Sequence, residues 1–548
     1  MKKLLFTFLI IPSILIQAQE PTLIKDIIPG SGQPSILSLT AAETQVFFVA
    51  DDYDGMSGSE VWRTDGTEEG TYLTKDINPG ALHGITYFPG IFVVNDIAFF
   101  IANDGDTGNE LWKSDGTEAG TQLVKDIDPG YDGGLEGGAA AGYYDPCFTV
   151  LGDILYFSAD DGTHSYELWR SDGTEAGTYM VKDLVAGDGN SRMDYIEAAG
   201  DRVYFSAYNN DYEFCLWMTD GTEAGTVILK EDLWINSYND QLGTKSFIEY
   251  DGYVYFAAGP DNYDRELWRT DGTEAGTELF FEFDDDEFED GFPAGLEVFK
   301  DKLIFWTAEF DNKFFVSDGT VAGTNVLMNS EGNELNLGEY DTYLVTEDKL
   351  YFPASEEGIN NGLWVTDLTN EGTFLLTEQS FFHFNDLIHG AAAIGNNIVF
   401  ESFDYDNACW ALYQSNGTVE GTELSIPCSV TYNPHDMVTL DGKVIMIAED
   451  AAGEYGAELW LYEPTFAPVA IDGVAENNNI NIYPNPAADY IQISNIEQGI
   501  MNKEVFIQNM EGRIMKAIPF SNEINISDLS SGIYFIKIGN SVQKFMKE

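Results

Sequence analysis

The chain of 548 residues is short of positive charge, with 26 Lys and Arg against 93 Asp and Glu and a formal net charge of −67. A phosphate-backbone ligand is excluded, because counterion release needs a Lys/Arg surface. Anionic membrane surfaces are disfavoured by the same sign argument. Histidine is scarce, at five residues, and cysteine scarcer, at four. No H-E-x-x-H, G-x-S-x-G, C-x-x-C or P-loop string occurs, so the chemistries that depend on those spacings have no anchor. Long apolar runs are missing beyond Leu4–Ile16, which is broken by Pro12 and Ser13, follows Met1-Lys2-Lys3 and precedes Ala18-Gln19. That run is too short to span a bilayer and has the order of a secretory signal peptide. Residues 1–18 are therefore expected to be removed, leaving an exported chain with no transmembrane segment. Apolar residues at 44% and aromatics at 14% are too many for a disordered acidic tail.

What the chain has in abundance is one repeated string, ELW-x-[TS]-DGT-xx-GT. Its aromatic falls at Trp62, Trp112, Trp169, Trp217, Trp268, Phe315, Trp364, Tyr413 and Trp460, so seven of the ten tryptophans share one packing role. Each unit reads as four strands. A first apolar strand ends at a two-residue turn such as Gly152-Asp153 or Asp251-Gly252. A second, such as Val46–Ala50, is continuously apolar and so buried on both faces. The third carries Glu-Leu-Trp, and the DGT-xx-GT loop leads into a fourth. Four antiparallel strands per unit of this length are the arithmetic of a β-propeller blade. Thr22–Ile27 matches a fourth strand with no Glu-Leu-Trp before it, and Glu458-Leu459-Trp460 opens a unit that never receives its fourth strand. The amino-terminal strand is expected to complete the last blade, giving an all-β propeller of about nine blades over residues 19–462.

The repeated Asp65-Gly66-Thr67 and its copies read as structural turns, in which Asp accepts from an amide two residues on and Gly supplies positive φ. Between the second and third strands the loops are acidic, with Asp51, Asp52 and Asp54, then Asp104 and Asp106, then Asp160 and Asp161. These loops share one face with the connections to the next unit, so a ring of carboxylates is expected there. With Glu110, they offer hard oxygen donors at short spacing, which suits Ca²⁺ without matching the EF-hand register. Calcium is the one cofactor expected. Cys409 and Cys428 have their midpoint within the loop that runs from Asn416-Gly417-Thr418 to Gly421-Thr422 and are a candidate disulfide; Cys147 and Cys215 are expected as free thiols. Two places break the pattern, Phe283–Gly291 (FDDDEFEDG) and the long Asp128–Tyr144 loop. His383 and His389 are close in sequence but read as loop residues rather than ligands.

After Trp460 the repeat stops. Residues 463–479 form a linker, and residues 480–548 read as short alternating strands of a small Ig-like β-sandwich. Tyr483-Pro484-Asn485-Pro486, Asp489, Gly512-Arg513, Gly532, Tyr534 and the basic end Lys544–Lys547 resemble the type A C-terminal sorting domain of the type IX secretion system. The resemblance implies passage across the outer membrane of a Gram-negative bacterium, with that secretion machinery as partner, followed by release or attachment to the outer surface. The upstream units resemble the ELWxxDGT repeat family.

Function is read from this organisation. The first expectation is a secreted or surface-displayed binding or adhesion module that engages an extracellular glycan or other surface polymer through its acidic loop face, many similar weak sites gaining avidity on a repetitive target. The second is a polysaccharide-active enzyme with carboxylates in the propeller channel. The third is a purely structural matrix role.

Overall fold

The structure, a computed structural model, describes residues 20–547 apart from 30–33, 52–57, 80–82, 86–89, 131–132, 136–146, 236–244, 261–264, 284–290, 308–311, 338–342, 357–358, 379–389, 405–406, 408, 451, 453–454, 467–480, 484–486, 495–503, 509–513, 520, 522, 528, 530–531 and 539–540. The signal-peptide expectation thus lies outside the described residues, as do Asp52, Asp54, His383, His389 and all of the 283–291 stretch but its two ends. The chain forms two compact units, 1–467 and 468–548. No helix among the described residues is long and apolar enough to cross a membrane.

The first unit is all-β, with nine antiparallel sheets among the described residues. The first sheet takes Ser35–Ala41, Val46–Asp51, Ser59–Thr64 and Tyr72–Leu73 in chain order. Sheets two to eight follow over 92–125, 148–182, 194–231, 234–281, 293–326, 344–377 and 391–426. The fifth has an extra short strand, Trp234–Ile235, beside Ala258 and Gly259. The ninth takes Thr431–Leu440, Lys443–Asp450 and Glu458–Tyr462, and its fourth place is filled by Thr22–Lys25 from the other end of the chain. There Thr22 lies opposite Leu461, and Leu23 opposite Trp460.

The run Val46–Asp51 shows why the second strands carry no polar alternation. Val46, Phe48 and Ala50 pack with Ile445, Ile447 and Leu459 of the ninth sheet. Phe47 and Val49 point the other way, onto Ala98, Phe100 and Trp112 of the second. Both faces of each sheet are thus covered by a neighbour, and burying one such Phe contributes about 2–3 kcal/mol. The same arrangement joins every successive pair up to the eighth and ninth sheets, where Val399 and Leu412 meet Val444, Met446 and Trp460. Because the ninth sheet also packs on the first, the succession returns to its start and no sheet face is left bare among the described residues. The first strands touch their counterparts in neighbouring sheets and surround the axis. At one end of the strands lie the first hairpin turns and the DGT loops. At the other lie the loops between second and third strands and the connections to the next sheet.

The second unit holds a three-stranded sheet (Asn481–Tyr483, Tyr490–Ser494, Glu523–Asn525) and a four-stranded one, ordered Ile514–Pro519, Glu504–Gln508, Gly532–Ile538, Ser541–Lys547. Ile491, Val505, Ile507, Ile524, Ile536 and Phe545 form its core.

Candidate functional site

Three devices built from the repeat come first, because they show which polar groups the scaffold uses. In the DGT loop the Asp65 Oδ1 accepts from the Thr67 amide at 3.0 Å and its hydroxyl at 2.6 Å, while the Thr67 hydroxyl accepts from the Gly70 amide at 3.0 Å. Behind this cage the Thr64 and Thr71 hydroxyls meet at 2.7 Å, buried. The first glycine, Gly66, has φ +85°, and a Cβ on the second, Gly70, would collide with the Asp65 carboxylate. The two glycines thus serve different ends, the first easing a left-handed backbone and the second leaving room for the carboxylate. The cage recurs through to the eighth sheet, where Asn416 Oδ1 makes the same two bonds to Thr418 at 3.0 and 2.7 Å without a charge. In the seventh sheet Leu368 occupies the first-glycine place and is forced to φ +71°. Bonds from the threonine hold Asp115, Asp172 and Asp220 below the usual carboxylate range.

The Glu of Glu-Leu-Trp is turned inward. Glu110 has no exposed surface, and its Oε1 accepts from the amides of Asp128 at 3.1 Å and Gly134 at 2.8 Å. Glu167 takes the Leu184 and Val185 amides, Glu266 that of Phe283, and Glu458 those of Ile27 and Ile28. Each thus pins the start of the connection that follows its own fourth strand. Burial pushes Glu60 and Glu167 up to about 8 and Glu110 and Glu458 up to about 7, against the lowering effect of the amide bonds.

A third device was not anticipated from the sequence. The fourth-strand lysine of one sheet reaches the next: Lys25 Nζ donates to the Thr71 carbonyl at 2.7 Å, Lys75 to Thr121 at 3.2 Å, Lys125 to Thr178 at 2.8 Å and Lys182 to Thr226 at 2.7 Å. Lys75, Lys125, Lys182 and Lys230 also lie 5.3–5.9 Å from the ring centres of Trp112, Trp169, Trp217 and Trp268. The signal was present: in so acidic a chain, five of the 26 basic residues stand at one repeat position.

The loop carboxylates nominated for calcium are occupied locally. Asp104 Oδ1 accepts from the amides of Asp106 and Thr107 and from the Thr107 hydroxyl, and Asp161 Oδ1 from the amides of Thr163 and His164. Asp160 caps the Gly162 amide, and Asp51 Oδ2 lies 3.4 Å from the Ser59 hydroxyl. Glu110 leaves the donor set altogether, since its wall position is fully enclosed. Among the described residues no three His, Cys, Asp or Glu come together in a way that could hold a metal ion.

Cys409 and Cys428 are joined, with Cα atoms 6.2 Å apart, while Cys147 and Cys215 are not disulfide-bonded. Phe283 packs against Phe281, Phe305 and Phe315. Of the sorting-motif residues, Tyr483 is half exposed, Tyr534 is buried against Phe545, and Gly532 opens its strand. Pro484, Asn485, Pro486 and Gly512 lie outside the described residues. On the inner strands of sheets four to six, the Glu197 carboxylate accepts the Ser246 and Phe247 amides at 2.6 and 3.1 Å, and Lys245 pairs with Glu297 at 2.9 Å. Burial pushes Glu197 up to about 7.

Residues 481–548 match the model of the secretion system C-terminal sorting domain. This tail supports export through the type IX system, makes that machinery a partner, and marks a secreted or cell-surface protein. No curated protein matches the chain. Solved structures with some likeness include one from a study of two prolyl endopeptidases (10% identity over 71% of this chain and 55% of that one, TM-score 0.37). Others are the computationally designed Ika8 protein (12%, 69% and 99%, TM-score 0.33) and the β-propeller domain of the Trilobed protease from Pyrococcus furiosus (12%, 58% and 95%, TM-score 0.28). The chain spans little more than half the length of the endopeptidase it resembles.

Proposed function

We propose that the chain is an exported binding module: a nine-bladed propeller of ELWxxDGT units, freed of its signal peptide and carried to the outer surface of a Gram-negative bacterium by an Ig-like sorting domain. Its ligand is an extracellular glycan or comparable surface polymer. The observation that carries this reading is the contrast between the two faces. The DGT face repeats one cage through eight sheets and one lysine staple across four successive junctions, whereas the opposite face presents loops that differ in length and composition. A rigid repeated scaffold with one variable face is the arrangement that recognition uses. The test is co-sedimentation of the exported chain with insoluble cellulose, chitin, mannan and β-1,3-glucan. Retention on at least one supports the reading, and release of the chain from all four opposes it.

The enzyme reading rests on Glu197 and Glu297, one carboxyl raised by burial and one ion-paired, on the inner strands of the fourth and sixth sheets with that of the fifth between them. Such a division of states suits an acid and a base. Product release from a polysaccharide that disappears in Glu197→Gln would favour it. The calcium expectation is carried forward for Asp51, Asp104, Asp106, Asp160 and Asp161, and equal melting in calcium and in chelator would remove it.

A further inference from the structure

One part of the variable face differs in kind from the rest. In the fourth sheet, Tyr208 and Phe214 are cross-strand partners at the loop end, with ring centres 4.4 Å apart. Phe214 continues to Trp234 at 4.2 Å, and Tyr208 to Tyr212 at 6.0 Å, edge-on. The corresponding pairs in the first two sheets are Asp51 with Ser59 and Asn103 with Asn109. Trp234 is also one of the three tryptophans outside the repeat position. The rings therefore do no work that the repeat requires.

The loop holding them is rigid. Asn209, only 7% exposed, accepts the Asp211 and Glu213 amides on its Oδ1 at 2.9 and 3.0 Å and donates to Glu213 Oε2 at 3.0 Å. Tyr212 is held at φ +61° with 60% of its surface in water. A bulky residue in the left-handed region costs free energy, and this one recovers little of it through burial. Arg192, at φ +43°, lays its guanidinium 5.5 Å from the Phe214 ring centre and 5.8 Å from that of Tyr208, and donates from Nη1 to the Tyr208 oxygen at 3.1 Å. Among the described residues no carboxylate forms an ion pair with Arg192, in a chain with 93 acids.

We propose that Tyr212, together with the Arg192 guanidinium that lies on Tyr208 and Phe214 and with Tyr208, Phe214 and Trp234 as its base, is a subsite for a neutral pyranose unit of a polysaccharide. The assignment rests on the binding reading above and names where it happens and what it takes. An exposed ring face matches the C–H face of a pyranose, and a pinned guanidinium supplies donors to its hydroxyls. Charge selects further: the net −67 repels polyanionic chains, while Arg192 repels a cationic peptide at this spot. A flat, uncharged, hydroxyl-rich unit satisfies both. The eighth sheet has an aromatic pair at the same repeat position, Phe403 and Trp410 at 5.4 Å, so two points on one face could engage the same polymer.

The test is calorimetric titration of the full chain with cellohexaose, laminarihexaose and mannohexaose, with alginate and a lysine-rich peptide alongside. At least one neutral hexasaccharide is expected to bind, and Tyr212→Ala to weaken it tenfold or more with unchanged melting. Arg192→Ala is expected to weaken it as well. Tyr179→Ala, which alters another exposed tyrosine under an arginine (Arg170, 5.4 Å), should leave it unchanged. If a neutral hexasaccharide binds wild type and Tyr212→Ala equally, the subsite is wrong although the binding reading survives. Tyr212-dependent binding of alginate or peptide alone overturns the neutral assignment. Failure of wild type to bind any probe opposes both the subsite and the binding reading.

Discussion

Replacing Gly225 by alanine tests the reasoning about the repeat most sharply. In the fourth-sheet cage, Asp220 Oδ1 accepts from the Thr222 amide at 2.9 Å and its hydroxyl at 2.6 Å. A Cβ on Gly225 would stand well inside van der Waals contact with that carboxylate, so Asp220 must swing out and lose both bonds. Each is worth about 1 kcal/mol for an exposed group. The stiffer unfolded chain of an alanine variant returns about 0.5 kcal/mol. The expected loss is therefore about 1.5 kcal/mol, read by urea denaturation. Two comparisons make the number specific. Gly130→Ala meets nothing within 4 Å and should be neutral or slightly stabilising. Asp220→Asn should cost under about 0.5 kcal/mol, because Asn416 already makes the same cage. A Gly225→Ala variant as stable as wild type, or an Asp220→Asn variant as damaged as Gly225→Ala, would refute the cage argument.

Other outcomes follow from the wall and the staples. The raised wall glutamates stabilise the fold fully below their unfolded value near 4.5, and that contribution is lost as pH rises through about 7–8. The depressed Asp115, Asp172 and Asp220 act oppositely, their contribution fading as pH falls through and below 3.8. The melting temperature should therefore peak near pH ~5 and decline toward pH 8, with a shallower decline in Glu167→Gln; a continuous rise to pH 8 would contradict this. Lys125→Met leaves the Thr178 carbonyl without its donor and should cost about 1–2 kcal/mol by denaturant titration. Under denaturing, non-reducing conditions alkylation should label Cys147 and Cys215 alone, and reducing the Cys409–Cys428 bond should lower stability by about 3 kcal/mol.

The parts of the fold that were legible in the sequence are those whose partners lie within one repeat. Apolar runs such as Val46–Ala50 announce strands covered on both sides, and Asp-Gly-Thr announces a turn through chemistry two residues long. The orphan strand at Thr22–Lys25 was also readable, because the repeat itself shows which strand Glu458–Tyr462 lacks. What could not be read depends on tertiary contact. Glu110 looked like a solvent-facing ligand beside Asp104 and Asp106, yet its amide partners at Asp128 and Gly134 lie a full strand pair away. Lys25 meets Thr71 only because adjacent sheets stand side by side. Tyr208, Tyr212, Phe214 and Trp234 were lost among 75 aromatics, since their grouping needs a hairpin end, a left-handed loop residue and the next connection to coincide.

The central claim is that the amino-terminal strand closes the ring by entering the ninth sheet. Thr22 and Leu461 are opposed across that junction, so a chain carrying Thr22→Cys and Leu461→Cys reports on it directly. The account predicts a new disulfide under mild oxidation, formed within the monomer and seen as a mobility shift that reductant reverses, with either single variant silent. A double variant whose two new thiols stay reduced in the folded protein, while Cys409 and Cys428 remain paired, would contradict it.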